Sequence, residues 1–272
     1  MADHNLNFYQ QLAQDYHLIF QDWTQSIMRQ GIALDRLLRA YGIAPPVAVL
    51  DCAAGIGTQA IGLAARGYTV HATDISPAAV ERAAQEAAAL GVTLTTGIAD
   101  MRNLKNQVAG DFDLVIACDN AVPHLLTDAD LALAMENMRA KLRPAGLLLI
   151  SIRDYDHLLL NKPRATLPQV IDDPAPESST TDAAKRRIVF QVWDWAADRY
   201  TLTMFILQQQ DQSSDAALAT PDAWRTSTYR GTYRALQRAD LNAALTQAGF
   251  TDLRWHMPQD TGYHQPLVTA RG

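Results

Sequence analysis

Cysteine is scarce in this chain: among 272 residues there are two, Cys52 and Cys118, too far apart for a CxxC pair. That excludes a disulfide framework and leaves each as a small apolar residue suited to a reducing compartment. Basic residues are outnumbered, 23 against 29 acidic, for a formal net charge of −6. An extended nucleic-acid surface needs a basic stripe to meet phosphates, so nucleic acid is not an expected partner. No apolar run approaches the roughly 20 residues that span a bilayer. The opening MADHNLNFYQQ lacks the basic-then-apolar pattern of a secretory signal. The expectation is a cytoplasmic protein with no membrane contact. No clustered histidines and carboxylates suggest a metal site, and no internal repeat is visible.

What is present is an ordinary globular composition, 48% hydrophobic and 19% charged, in a chain long enough to bury one large core. Residues 6–42 carry apolar side chains at helical spacing (Leu12, Tyr16, Ile19 and Phe20, then Ile27, Leu34, Leu37 and Leu38) and read as helix up to Gly42 and Pro45-Pro46. The pattern then alternates. Strands are predicted at 47–50, 68–72, 93–96, 113–117 and 147–152, and helices at 58–65, 77–90 and 128–142, with Ser76-Pro77 as N-cap and first helical residue. Such alternation means βαβ units, a mainly parallel sheet and helices on both faces, a doubly wound α/β fold. Past residue 153 the texture changes. Segments 188–195 and 200–207 read as a hairpin, 226–236 as a further strand, 239–248 as a helix and 267–270 as a last strand; 172–184 and 208–221 read as polar loops. The boundaries that follow are 1–45 for an N-terminal helical segment, 46–152 for the binding core, 153–236 for a β-rich lid, and 237–272 for the helix and strand that complete the sheet.

The chemistry concentrates at one turn, Val47-Ala-Val-Leu-Asp51-Cys-Ala53-Ala-Gly55-Ile-Gly57-Thr-Gln-Ala60. A strand ends in an acid, and two glycines that permit φ > 0 and close ligand approach lead into a helix whose first N–H groups are unpaired. Gly55-x-Gly57-x-x-Ala60 also fits a dinucleotide fingerprint, and Asp74 lies 19 residues after Gly55, where a ribose-binding acid is expected. Asp51 bears on the choice: a carboxylate before the turn repels a pyrophosphate and accommodates an ammonium group. Asp74 ends the second strand, followed by Ile75, and can accept both hydroxyls of a ribose. Gly97-Ile-Ala-Asp100-Met101 follows the third strand; Asp100 can accept from an exocyclic adenine amine while Met101 packs on the ring. Three acids at successive strand ends line the carboxyl edge, where open sheets bind ligands.

On these residues, stretch 47–152 resembles the catalytic core of the class I S-adenosylmethionine-dependent methyltransferases, which implies a Rossmann-like methyltransferase sheet and S-adenosyl-L-methionine as cofactor, with S-adenosyl-L-homocysteine as product. Ala53 stands where many members carry glycine. Over more of its length the chain resembles the glycine and sarcosine N-methyltransferases, through Asp119-Asn120-Ala-Val-Pro-His124-Leu125 and Ser151-Ile-Arg153-Asp-Tyr155. That resemblance implies that Asn120 and His124 border donor and acceptor, that Arg153 grips the acceptor's carboxylate, and that Tyr233 and Tyr263 are substrate-site tyrosines. Asp119 and Asn120 join the cofactor residues. Arg29 is the nearest counterpart to an N-terminal arginine of the family, and Phe190 lies near the position of a further family tyrosine. Arg153 also stands on physics, because a guanidinium at the end of an apolar strand on this edge suits a bidentate carboxylate clamp; its alternative is an ion pair with Asp154 or Asp156. The five tryptophans read as core or lid.

The expected activity is methyl transfer to a small carboxylate-bearing amine by in-line displacement, with a small amine or amino acid as partner and no bar to a homo-oligomer. The alternatives are O- or S-methylation of a small molecule, an NAD-dependent oxidoreductase on the same turn, and a non-catalytic adenosyl-ligand binder. A nucleic-acid methyltransferase fits less well, since Asn120-Ala-Val-Pro123 lacks the Asn/Asp-Pro-Pro-aromatic motif of the amino-methylating members.

Overall fold

The computed structural model describes residues 4–173, 185–210 and 224–272. The β-rich and helical halves of the pattern sort into two sheets. In the first, β1 (Ala48–Asp51), β2 (Thr69–Asp74), β3 (Thr95–Ile98), β4 (Phe112–Ala117) and β5 (Leu142–Ser151) run parallel. The later strands β10 (Thr251–His256) and β11 (Leu267–Arg271) join them, giving the order β10-β11-β5-β4-β1-β2-β3 with β11 antiparallel to both neighbours. Leu147 to Ile150 are fully buried, as a parallel strand covered on both faces requires. The predicted doubly wound sheet is therefore the observed one.

Helices cover both faces. Helix α2 (Trp23–Ala40) crosses α3 (Thr58–Ala64) so closely that a methyl on Gly62 would lie 2.8 Å from the Ile27 carbonyl oxygen. Only glycine allows that backbone approach, and it fixes α3 behind the glycine turn. Helix α4 (Pro77–Ala89) opens as predicted, with the Ser76 side chain accepting from Ala79 N. Helices α5 (Leu104–Gln107) and α6 (Asp128–Ala140) follow β3 and β4.

The second sheet is antiparallel: β6 (Gln169–Asp173), β7 (Lys185–Ala196), β8 (Arg199–Gln209) and β9 (Trp224–Arg234), in that order. The hairpin turns through Ala197, in the left-handed region at φ 53. Its Trp193, Tyr200, Leu202, Met204 and Ile206 join the same buried cluster as Leu148, Ile150 and Val115 of the main sheet, so the two sheets share one core. Helix α7 (Tyr155–Asn161) and α8 (Arg238–Gln247) link the sheets, and α9 (Pro258–Thr261) precedes β11.

Two differences from the sequence reading matter. The single helix over 6–42 is two, α1 (His4–Leu12) and α2, separated by a 3-10 turn at Tyr16–Ile19. Asp22 starts a new helix there by accepting from Gln25 N, a cap that helical periodicity does not register. Strand β6 takes up Asp172 and Asp173 from the segment read as a loop, and β8 takes up Gln208 and Gln209; 174–184 and 211–223 lie outside the described residues.

Candidate functional site

The carboxyl ends of β1 to β4 open into a cavity of about 610 Å³, of small-molecule size. Its floor comes from the glycine turn and the residues after β2, β3 and β4. Its roof comes from Tyr9 of α1, Tyr16 of the 3-10 turn, and Arg199 and Thr232 of the second sheet. Of the predicted site residues, Ala53, Gly55, Asp74, Ile75, Asp100, Met101, Asp119 and His124 line this cavity. Gly57, at φ 93, caps α3 and packs against Ile61 and Ala83 instead. Arg29 sits exposed on α2, donating to Ser26 Oγ at 3.2 Å, and is not brought to the cavity.

The carboxylates differ in state because their surroundings differ. Asp51 is fully buried and not among the cavity-lining residues; Oδ1 accepts from Ala53 N at 3.3 Å and Oδ2 has no partner. Burial pushes its pKa up to about 8, with Asp74 and Asp119 adding to the rise. Asp74 accepts from Gly55 N and Ser76 N, both at 2.9 Å, one bond to each oxygen. Each oxygen keeps a lone pair for a further donor, so pinning the turn and holding a diol are compatible roles. Asp100 is gripped by Arg102, whose Nε donates to both carboxylate oxygens at 3.0 Å and whose Nη1 reaches Asp130 at 3.1 Å. Asp119 carries a fixed negative charge in the cavity wall. Burial alone raises it, but His264 at 3.0 Å, with Gln59 and Tyr263, outweighs burial and holds it below the usual carboxylate range. The charge that the sequence reading put on Asp51 thus sits chiefly on Asp119.

Tyr263 is buried behind the cavity wall, donating to Asp119 Oδ1 at 2.9 Å and accepting from Gln59 Nε2 at 3.1 Å. His124 donates from Nδ1 to the Thr232 carbonyl at 3.2 Å and accepts at Nε2 from the Tyr9 hydroxyl at 2.7 Å. Burial drives its pKa down to about 3, so it is a neutral ring at every working pH. Tyr233 stacks on it with ring centroids 4.0 Å apart.

Arg153 stands one layer back, beside Tyr233. Its guanidinium lies 4.8 Å over the Trp193 ring and 5.5 Å from that of Tyr233, and Nη1 donates to Tyr200 at 2.7 Å. Asp154 and Asp156 pair with Arg238 instead, at 3.8 and 3.0 Å. Among the described residues no carboxylate partners Arg153. The phenols around it outweigh burial and keep it a cation. Burial pushes the Tyr16 hydroxyl well up, with Asp119 and Tyr233 adding to the rise and Arg153 opposing it.

Several of these residues escaped the sequence reading. Tyr16 reads from the sequence as helix packing, and Tyr9 is not singled out there at all. Tyr200, not Phe190, is the tyrosine at Arg153: Phe190 points to the other face of β7 and stacks on Phe205. A signal for Tyr200 did exist, since the predicted hairpin pairs it with Trp195 in the next strand. None of the tryptophans lines the cavity; Trp193 and Trp195 belong to the second sheet.

The cavity offers an adenosyl sulfonium donor a diol acceptor in Asp74 and an ionised carboxylate in Asp119 for an ammonium; Asp100, beside Met101, now gives its lone pairs to Arg102 and takes an adenine amine only in exchange for one of those bonds. Residues 49–146 match the methyltransferase domain family. The glycine/sarcosine N-methyltransferase of Parasynechococcus marenigrum is 35% identical over 138 residues, 51% of this chain and 48% of that protein. The enzyme of the same description from Aphanothece halophytica is 26% identical over 190 residues, 69% of this chain and 70% of its own. The chain thus spans about half the length of the first relative. Among solved structures, an S-adenosylmethionine-dependent methyltransferase from Clostridium acetobutylicum superposes with a TM-score of 0.69 at 14% identity, covering 97% of each chain. An amino pentose methyltransferase from Micromonospora echinaspora gives 0.64 at 20% identity over 95% of this chain and 94% of its own. Both likenesses establish the fold. Residues 49–146 thus form a methyltransferase domain, set in a fold of the Rossmann-like methyltransferase kind.

Proposed function

We propose that the protein methylates the nitrogen of a small carboxylate-bearing amine, in the manner of the glycine and sarcosine N-methyltransferases it resembles. The observation that carries the reading is Arg153, a half-buried guanidinium with N–H groups to spare and no carboxylate partner among the described residues. Leaving such a charge unpaired is costly unless an anionic ligand completes it.

S-adenosylmethionine supplies an electrophilic methyl group whose leaving sulfur departs neutral. The chain's own residues position the partners. Asp74, Asp100 with Met101, and Asp119 would hold the donor's ribose, adenine and ammonium. Arg153 would anchor the acceptor by its carboxylate, and the oxygens of Tyr9, Tyr16 and Tyr233 would accept from its amine as charge develops there. No strong base is needed for a free amine. That favours nitrogen over a neutral hydroxyl, because His124, with a pKa of about 3, is too weak a base to take an alcohol's proton. The net charge of −6 fits a small-molecule acceptor better than a nucleic acid.

The test is a panel of small amino acids, their N-methyl derivatives and the matching amines without a carboxylate, each incubated with labelled donor and read by mass spectrometry. Amino acids should gain methyl groups on nitrogen, at rates that climb with pH through the bound amine's pKa. Carboxylate-free amines should react at least about 10-fold more slowly, the scale of one lost charge-assisted contact. Equal rates on both sets, or transfer only to hydroxyls, would refute the reading.

A further inference from the structure

The guanidinium of Arg153 and the backbone N–H of the same residue are joined by a closed circuit of hydrogen bonds. Arg153 Nη1 donates to Tyr200 Oη at 2.7 Å, the Tyr200 and Tyr155 hydroxyls lie 2.9 Å apart, Tyr155 Oη donates to Asn120 Oδ1 at 2.9 Å, and Arg153 N donates to that same Oδ1 at 3.0 Å. Each phenol has one hydrogen. Because Tyr155 spends its hydrogen on Asn120, it must accept from Tyr200, and Tyr200 is left to accept from the guanidinium. The circuit has a single consistent direction, and bonds in such a chain strengthen one another.

The circuit also secures strained backbone. Asp119 and Asn120 are consecutive non-glycine residues in the left-handed region, at φ 54 and 67. Such a pair persists only when its surroundings hold it. Here Ser151 Oγ accepts from Asp119 N at 2.8 Å, and the Asn120 side chain takes its two donors from Tyr155 and Arg153. Cys118, Asp119 and Ala121 of this turn line the cavity. Tyr155 itself is fully buried and touches no cavity space. Its phenol is the link between the cavity-lining turn and the cation behind it.

We infer that Tyr155 is a positioning residue for carboxylate binding: its hydroxyl sets the orientation in which Arg153 presents its remaining N–H groups, through Tyr200 on one side and Asn120 on the other, with Gln191 Oε1 accepting from Nη2 at 3.5 Å. The inference rests on the carboxylate-clamp reading of Arg153. The experiment titrates the protein with acetate, followed by the fluorescence of Trp193 against the guanidinium, and in parallel with S-adenosylhomocysteine by calorimetry. Tyr155→Phe should weaken acetate by on the order of 10-fold, as loss of one buried hydrogen bond does, and leave the S-adenosylhomocysteine dissociation constant within about twofold. Tyr200→Phe should produce a similar loss, and the double variant should be no worse than the poorer single, since both cut one circuit. A merely structural role would weaken both ligands together and make the two substitutions additive.

Unchanged acetate affinity in Tyr155→Phe, while Arg153→Met abolishes it, would overturn the inference and leave the clamp standing. No acetate binding by the unaltered protein would remove both. If Tyr155→Phe does not fold, Tyr200→Phe decides: intact acetate affinity in that variant overturns the circuit's role.

Discussion

Arg153→Met should raise the acceptor KM by at least about 100-fold, the scale of a broken buried charge pair, while the donor's dissociation constant stays within about twofold. Methionine keeps the apolar stem against Trp193 and Tyr233 and removes only the charge and its N–H groups. The acceptor's carboxylate then faces a wall of aromatic rings with one phenol to replace a bidentate cation. Folding should not suffer. A guanidinium with no carboxylate partner among the described residues is a burden on the empty protein, so the variant's melting temperature should hold or rise. That combination, full stability with lost acceptor binding, distinguishes a ligand-binding arginine from a structural one. Arg153→Lys should fall between, because an ammonium keeps the charge but cannot offer the planar fork. Steady-state kinetics with varied acceptor, beside a donor titration, read both quantities. Equal losses in donor and acceptor affinity would contradict the assignment.

Asp51→Asn should change how stability depends on pH. The folded-state pKa of Asp51, about 8, lies above the ordinary 3.8. Between those values the unfolded chain ionises this residue while the folded chain keeps it protonated, so the native state loses relative stability as pH climbs through that window. The loss is complete above the folded pKa. At about 1.4 kcal/mol per pKa unit, the full cost is on the order of 5 kcal/mol. Asparagine escapes it. The new amide would bury an N–H₂ group where Oδ2 now has no partner, a pH-independent penalty of about 1–3 kcal/mol. Denaturant unfolding of the donor-free proteins at about pH 5 and about pH 8 should therefore show the variant gaining several kcal/mol relative to the parent across the interval. Parallel curves for the two proteins would mean that Asp51 is ionised in the fold. Such a residue is costly to keep for stability alone, which fits a role in the glycine turn.

Much of the site could be read from sequence because it obeys local rules. A strand, an acid and two glycines in succession specify a ligand-facing turn, and the order of Asp51, Asp74 and Asp100 along the chain becomes their order along the sheet edge. Arg153 follows the most apolar strand and needs no tertiary knowledge to be placed at that edge. Other parts depend on distance. Tyr9 and Tyr16 reach the cavity only because the N-terminal segment breaks at Asp22 and folds over the sheet, whereas their spacing fits a continuous helix. Tyr200 emerges from register: Trp195, Tyr200 and Tyr233 align across three strands, a pairing set by the turn at Ala197. The charge states were the least visible. Asp51 and Asp119 are both aspartates at strand ends, but one is sealed from water without a cation and the other is met by His264 from the loop before β11. Strand β10, half-exposed and irregular in register near its start between Thr251 and Arg254, carries too weak an alternation to be seen.

The most direct test of the account is a crystal structure of the protein with S-adenosylhomocysteine and acetate. The ribose hydroxyls are expected on Asp74, the adenine between Asp100 and Met101, the ammonium at Asp119, and acetate on the remaining N–H groups of Arg153. Product lodged elsewhere with Asp74 and Asp119 solvated, or acetate absent from a well-occupied complex while Arg153 pairs with a protein carboxylate, would contradict it.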